Sequence, residues 1–219
     1  FKPICSANLP IPSIKKGSPY MNHILYSGTG SARSLTGVGF QPNLTWVKKR
    51  NGTANNFVTD SISGTGKELN TNNSNAQVTN ANGITAFGSD GFSVGTDGGV
   101  NGNNDTFVAW NWKESASAGF DIVSYSGNDN ADRDITHSLN AVPDLFIVKS
   151  LTNAQGWYVF HRLSGSNKFL VLNSGNSQGT NTVLWSDEMP TSAHFTVGED
   201  GNGWATNEAG EDYICYLWT

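Results

Sequence analysis

Pro42-Asn43-Leu44-Thr45-Trp46-Val47-Lys48 and Pro143-Asp144-Leu145-Phe146-Ile147-Val148-Lys149 decide how this chain folds. Each opens on a proline, which fixes φ and removes a backbone donor, and then enters a short apolar run. Short runs rich in Val, Ile, Phe and Trp, bounded by Gly, Asn, Asp or Ser, are strand signals. Leu145 to Val148 is apolar without a break, as suits a strand covered on both faces. Periodicity alone leaves Phe169-Leu170-Val171-Leu172 open as a strand or a buried helical turn, and its β-branched and aromatic neighbours favour the strand. No long segment sustains a helical period with caps.

Outward from these two runs, the same residues return in the same order. Tyr26-Ser27-Gly28 recurs as Tyr125-Ser126-Gly127, and Phe57-Val58-Thr59-Asp60 aligns with Tyr158-Val159-Phe160-His161. Gly64, Lys67, Leu69 and Asn72 align with Gly165, Lys168, Leu170 and Asn173. Phe92-Ser93-Val94-Gly95 returns as Phe195-Thr196-Val197-Gly198, and Phe107-Val108-Ala109-Trp110-Asn111-Trp112 as Tyr213-Ile214-Cys215-Tyr216-Leu217-Trp218. Ordered matches of this kind are the mark of an internal duplication. The chain therefore reads as all-β, with two tandem antiparallel β-sandwich repeats of jelly-roll-like form at residues 23–113 and 120–219. Residues 114–119, Glu114-Ser115-Ala116-Ser117-Ala118-Gly119, read as a short linker. Residues 1–22 hold Pro3, Pro10, Pro12 and Pro19 and read as an extended Pro-rich linker. Trp46, Trp110, Ile147 and Tyr216 stand at matched apolar positions and are expected in the core.

The composition narrows the function classes. Only 14% of residues are charged and the net charge is −5, so neutral polar side chains must cover most of the surface. Phosphate binding needs clustered Lys and Arg, which excludes a nucleic-acid partner. No apolar run approaches a membrane span, and the N-terminus lacks a signal-peptide pattern, so no membrane insertion is expected. Cys5 and Cys215 lie far apart with no metal or redox spacing and read as free thiols, which suits assembly in a reducing cytoplasm.

Residues that carry chemistry are present without a constellation. His23, His137, His161 and His194 invite a search for a hydrolytic triad, but no Gly-x-Ser-x-Gly elbow raises a serine above the background. Asp60 stands where the second copy has His161, so a catalytic device shared by both copies is excluded. Asn101, Asn103 and Asp105 are spaced like the first ligands of a calcium loop, yet Thr106 occupies the glycine position and no glutamate closes the loop. Asp129, Asp132 and Asp134 form a second acidic cluster. Both clusters read as turns, where Asn and Asp accept backbone hydrogen bonds. Glycosidases need a pair of flanking carboxyl groups, and nothing in the sequence selects one. The expectation is no catalytic residue, no metal site and no cofactor. Loops around Trp157, Trp185 and Trp204 offer rings that stack on sugars, although Trp157 opens an apolar run and equally suits the core.

One family fits the order of these residues. Gly37-Val38-Gly39-Phe40-Gln41-Pro42-Asn43-Leu44-Thr45-Trp46-Val47-Lys48-Lys49-Arg50, followed by Asp90-Gly91-Phe92-Ser93-Val94-Gly95 and Phe107-Val108-Ala109-Trp110-Asn111-Trp112-Lys113, resembles a duplicated domain of unknown function from bacteriophage tail-fibre-like proteins. Those proteins come especially from marine and metagenomic sources. The second copy resembles it through Ile122-Val123-Ser124-Tyr125-Ser126-Gly127, Thr136-His137-Ser138-Leu139 and the closing Tyr213-Ile214-Cys215-Tyr216. Asn43 departs from the family's Asp. Phe1 to Pro10 resembles the stretch that follows an upstream SPRY-like β-sandwich, which implies a fragment of a longer chain.

The resemblance implies a non-enzymatic structural module of a phage fibre or appendage. The module would be assembled in the host cytoplasm, exposed on the virion and in contact with a host-surface glycan. Its implied partners are further copies of itself, as a homotrimer, or other virion proteins. The competing expectation is a carbohydrate-binding module of a larger polysaccharide-degrading enzyme. The resemblance carries over no ligand-binding residue.

Overall fold

The computed structural model describes residues 16–199 and 206–219, so Pro3, Pro10, Pro12 and Cys5 of the N-terminal segment lie outside the described residues. The protein is all-β, with antiparallel strand pairing throughout the described sheets. In chain order the first half contributes β1 (Met21–Ser27), β2 (Arg33–Thr36), β3 (Leu44–Lys49), β4 (Asn56–Asp60) and β5 (Lys67–Asn70). It continues with β6 (Val78–Thr79), β7 (Ile84–Gly88), β8 (Gly91–Val94), the short helix α1 (Gly98–Asn101) and β9 (Thr106–Trp112). The second half contributes β10 (Phe120–Ser126), β11 (Arg133–Thr136), β12 (Leu145–Ser150) and β13 (Tyr158–His161). It ends with β14 (Lys168–Val171), β15 (Gly179–Thr180), β16 (His194–Val197) and β17 (Asp212–Trp218).

Two six-stranded sheets dominate. Their strand orders are β1-β9-β3-β4-β5-β6 and β10-β17-β12-β13-β14-β15, so the last long strand of each half lies between the first strand and the Pro-led strand and pairs with both. Smaller sheets, β2-β8-β7 and β11-β16, accompany them. The period-two alternation of strands assigns the faces. One face of the first large sheet sends Val47, Phe107 and Ala109 against Leu35, Ile84, Phe92 and Val94 of its small sheet. The second large sheet does the same with Phe146, Val148, Tyr213, Cys215 and Leu217 against Ile135, Phe195 and Val197, with Leu184 and Trp185 filling the remaining space. The opposite faces of the two large sheets meet. Leu44, Val58 and Leu69 pack against Phe120, Ile122, Ile147, Trp157, Val159, Ile214 and Tyr216. The layers therefore run small sheet, large sheet, large sheet, small sheet.

Recurring sequence matches correspond to recurring local contacts. Tyr26 donates its hydroxyl to the Val100 carbonyl at 2.7 Å, and Tyr125 donates to the Thr206 carbonyl at 2.6 Å. The Arg33 guanidinium sits 5.8 Å from the Tyr26 ring centre, and that of Arg133 sits 5.7 Å from Tyr125. The glycine that follows each Tyr-Ser is required by crowding. A Cβ at Gly28 would lie 2.1 Å from the Gly102 carbonyl oxygen, and one at Gly127 would lie 1.9 Å from that of Glu208. Asn72 accepts the Asn56 N–H at 2.7 Å as Asn173 accepts the Trp157 N–H at 3.0 Å.

The junctions are tighter than their composition suggests. β1 begins at Met21, two residues ahead of the expected boundary of the first unit, and pairs with β9 along its length. Ser115 and Phe120 exchange backbone hydrogen bonds of 2.9 and 3.2 Å, with Gly119 at φ 69° turning the chain between them. The segment read as a linker is thus a closed turn that carries β9 directly into β10. Of the four expected core residues, Ile147 and Tyr216 are buried, whereas Trp46 and Trp110 are only half-buried, because the second sheet leaves that part of the first uncovered.

Candidate functional site

The meeting of the large sheets builds the features that functional surfaces need. Polar groups fasten the seam. The Tyr216 hydroxyl donates to Asp60 Oδ2 at 2.8 Å, and the Ser63 N–H donates to Asp60 Oδ1 at 2.6 Å. The Trp157 indole N–H is shared between the carbonyls of Asn70 and Asn73, at 3.1 and 3.2 Å. The Gln77 N–H reaches the Leu151 carbonyl at 2.9 Å. Asp60 is 1% exposed, and burial raises its carboxyl above the ordinary range despite the hydrogen bonds it accepts.

Beside this seam, β10 forms the outer edge of its sheet. Phe120 uses its outward N–H and C=O on Ser115, so by the two-residue period Ile122, Ser124 and Ser126 also face outward. The Ile122 N–H is covered by Asp121 Oδ1 at 3.0 Å, and the Ser126 carbonyl by the Arg133 guanidinium. The loop after β4 overhangs this edge and leaves an elongated cleft. One part, of about 430 Å³, is lined by Ile62, Ser63, Gln77, Ser124, Leu151 and Asp212 among others. The other part, of about 470 Å³, is lined by Glu114, Asp121, Thr136, His137 and Ser138. Ile62 and Ser124 line both parts and join them. Hydroxyl, amide and carboxylate groups alternate here with isolated apolar side chains, and among the described residues no Lys or Arg lines either part.

The electrostatics of the cleft centre on Glu114. Burial, and then the adjacent Asp121, push its carboxyl up to about 7, so it holds a proton through acidic and near-neutral pH. Burial lowers His137, which also meets the Thr191 carbonyl at 3.2 Å through Nε2. Asp121 is not free to move, since its second oxygen accepts the Ser138 N–H.

The residues singled out by spacing have other employment. Asn101 is fully buried, donates to the carbonyls of Ser31 and Gly95 and accepts from the Thr29 N–H. Asp105 pairs with Lys49 at 2.8 Å, and Asn103 is exposed. Asp129 caps the Ala209 N–H at 2.6 Å, while Asp134 lies 3.6 Å from His194 and accepts from Thr196. His161 accepts the Leu163 N–H through Nδ1, and His23 lies exposed on β1. No group of metal-ligating side chains converges among the described residues. Trp157 and Trp185 are each 1% exposed and belong to the core, which removes them as sugar platforms, and Trp204 lies outside the described residues.

Sequence reading missed two features. The cleft joins residues from both halves, and no local pattern announces such a meeting. The second is an uncovered aromatic face of the first large sheet, where Trp46 and Trp110 meet edge to face at 6.3 Å and Trp112 meets Trp218 at 6.5 Å. Alternation along β9 put Trp110 and Trp112 on one face, which was the available signal.

Comparison with known proteins returns one family. The match is to a domain of unknown function (DUF7483) and covers residues 16–219. No curated protein and no solved structure matches the chain.

Proposed function

Because this chain belongs to the DUF7483 family, whose own description assigns no function, we propose its role from its site: a non-enzymatic recognition module of a bacteriophage fibre or appendage, which contacts a host-surface glycan along the seam cleft. The carrying observation is the cleft itself, open and lined by Ser63, Gln77, Ser124, Asp212 and Thr136, whose neutral and acidic groups suit sugar hydroxyls. The phage context rests on the tail-fibre resemblance. Two tandem sandwich units from one duplicated ancestor fit the equal strand order of the large sheets and the paired Tyr, Arg, Gly and Asn contacts. In this reading the duplication has a use, since the cleft needs both copies. Assembly as a homotrimer or with other virion proteins, and exposure on the particle, belong to the same proposal.

A glycan array with the purified chain tests the reading. Binding to a host-surface polysaccharide is expected, with loss on Ser124→Tyr, which fills the cleft at its joint. Antibodies to the chain should label the particle. A chain that binds no host glycan, and whose antibodies label no virion, ends the proposal. The alternative, a carbohydrate-binding module of a polysaccharide-degrading enzyme, draws on the same cleft. It is distinguished by glycan binding without any labelling of particles.

A further inference from the structure

The seam cleft has a charge pattern that narrows what it can hold. Ser115 and Phe120 exchange both backbone hydrogen bonds across the turn between β9 and β10. Glu114 and Asp121 therefore form the next pair in that antiparallel register, the kind whose side chains stand closer. They line the same part of the cleft. Both oxygens of Asp121 act as acceptors, Oδ1 for the Ile122 N–H at 3.0 Å and Oδ2 for the Ser138 N–H, as an ionised carboxylate does. Asp121 is only 2% exposed, so its charge lies behind the cleft wall, where salt screens it little. The Glu114 carboxyl, pushed up by burial and by Asp121, keeps a proton to donate beside it. In the other part Asp212 is exposed, takes the Ser126 hydroxyl at 2.6 Å and adds a second negative charge.

No cation answers these charges along the cleft. Among the described residues neither Lys nor Arg lines it. His137 does, but its Nδ1 accepts the Leu139 N–H at 3.3 Å and its Nε2 meets the Thr191 carbonyl at 3.2 Å, which a neutral ring with its proton on Nε2 satisfies. Burial favours the same neutral form. Arg133 reaches the Ser126 carbonyl at one end, yet its guanidinium is engaged there, on Asn207 and over the Tyr125 ring. What remains for a ligand is hydroxyl chemistry. Ser124 and Thr136 are exposed, and Ile62, 46% exposed, offers an apolar patch to both parts.

We propose that the cleft takes an uncharged, hydroxyl-rich glycan and rejects acidic ones, with a sugar C–H face on Ile62 and sugar hydroxyls on Glu114, Ser124 and Thr136. This rests on the cleft being the glycan site and narrows its ligand to neutral polysaccharides. A sugar hydroxyl both donates and accepts, so it pairs with a carboxyl as readily as with a serine. A uronate or sialate carboxylate only accepts, and it would meet Asp121 and Asp212 without a counter-charge. Juxtaposed like charges are the means by which an interface refuses a wrong partner.

The test titrates the purified chain with the polysaccharides it binds on the glycan array, together with galactan, mannan, polygalacturonate and hyaluronate. The two uronate polymers are also used after carboxyl reduction, which turns each carboxylate into a hydroxymethyl group and leaves the linkages unchanged. The polymers that bind should be neutral, and Ser124→Tyr should abolish their binding. Thr136→Lys sets a cation at the exposed rim and should strengthen binding to acidic polymers by about tenfold, whereas Thr136→Ser should not. Because the exclusion is electrostatic, it should also relax as salt is raised to about 1 M, while neutral binding holds. Binding of an acidic polymer that is lost on Ser124→Tyr, and that carboxyl reduction weakens or leaves equal, overturns the selectivity and leaves the cleft as a glycan site. A Thr136→Lys chain with unchanged preference overturns it as well. Binding that survives Ser124→Tyr, or no binding to any polymer, ends the cleft reading and this inference with it.

Discussion

The Trp157 indole fills the seam and at the same time donates to two carbonyls of the opposite half. Trp157→Phe keeps most of the ring and removes the donor to the Asn70 and Asn73 carbonyls, of which Asn70 still accepts the Asn73 N–H at 3.3 Å. The net cost of the lost hydrogen bond is ~0.5–1.5 kcal/mol, to be read from urea unfolding at constant m. Asp60 and His161 show how one matched position takes two roles. Asp60 is enclosed by the seam and bonded by Tyr216, whereas His161 accepts a backbone N–H outside it. Glu114 makes stability depend on pH. Its ordinary value is 4.5 and its folded value is about 7, so the folded state binds the proton more tightly. The stabilisation is therefore complete below about 4.5 and is lost as pH rises through about 7. Glu114→Gln should flatten the urea midpoint across that window, and an unchanged slope would place the titration elsewhere.

At the scale of elements, the two faces of a strand have unequal energetic weight. Phe146 on β12 is 1% exposed and stacks on Phe160 at 4.6 Å, with Trp185 and Phe195 around it. Phe146→Ala should cost ~3–5 kcal/mol, as large aromatics in cores do. Trp110, half-buried on the open face of β9, should cost distinctly less when cut to alanine, and thermal unfolding of the two variants compares them. Equal losses would mean that the face is covered more fully than its exposure implies. The β1 and β10 edges are blunted by their own side chains. Asn22 covers the His23 N–H as Asp121 covers that of Ile122, which leaves fewer free backbone groups for pairing with another chain.

For the molecule as a whole, the seam decides cooperativity. Leu44, Val58 and Leu69 pack against Phe120, Ile122, Ile147, Trp157 and Tyr216 of the second half, and Asp60, Asn70 and Asn73 find partners there. With only the seven residues 113–119 between β9 and β10, folded into a closed turn, there is no slack for the halves to part and remain solvated. A single calorimetric transition, with calorimetric and van't Hoff enthalpies equal, is expected. The isolated segment 23–113 should lack a cooperative transition, because separation bares a continuous apolar sheet face. Two resolved transitions, or a stable isolated half, would show that the seam is a loose contact.

The strand positions, the Pro-led central strands and the match of Tyr26-Ser27-Gly28 to Tyr125-Ser126-Gly127 were legible from residues alone, because period-two patterning and a crowded glycine are local properties. The buried fates of Ile147 and Tyr216 were legible for the same reason. What lay outside the reach of sequence was which outer face each large sheet would turn toward the other. That choice buried Trp157, left Trp46 and Trp110 half open, turned residues 114–119 from a spacer into a fastened turn and brought Ile62 over Ser124 to form the cleft. Matched apolar positions in the two halves look alike along the chain. Only the packing of one sheet upon the other made them differ, since burial depends on the neighbour that arrives and not on the residue that receives it.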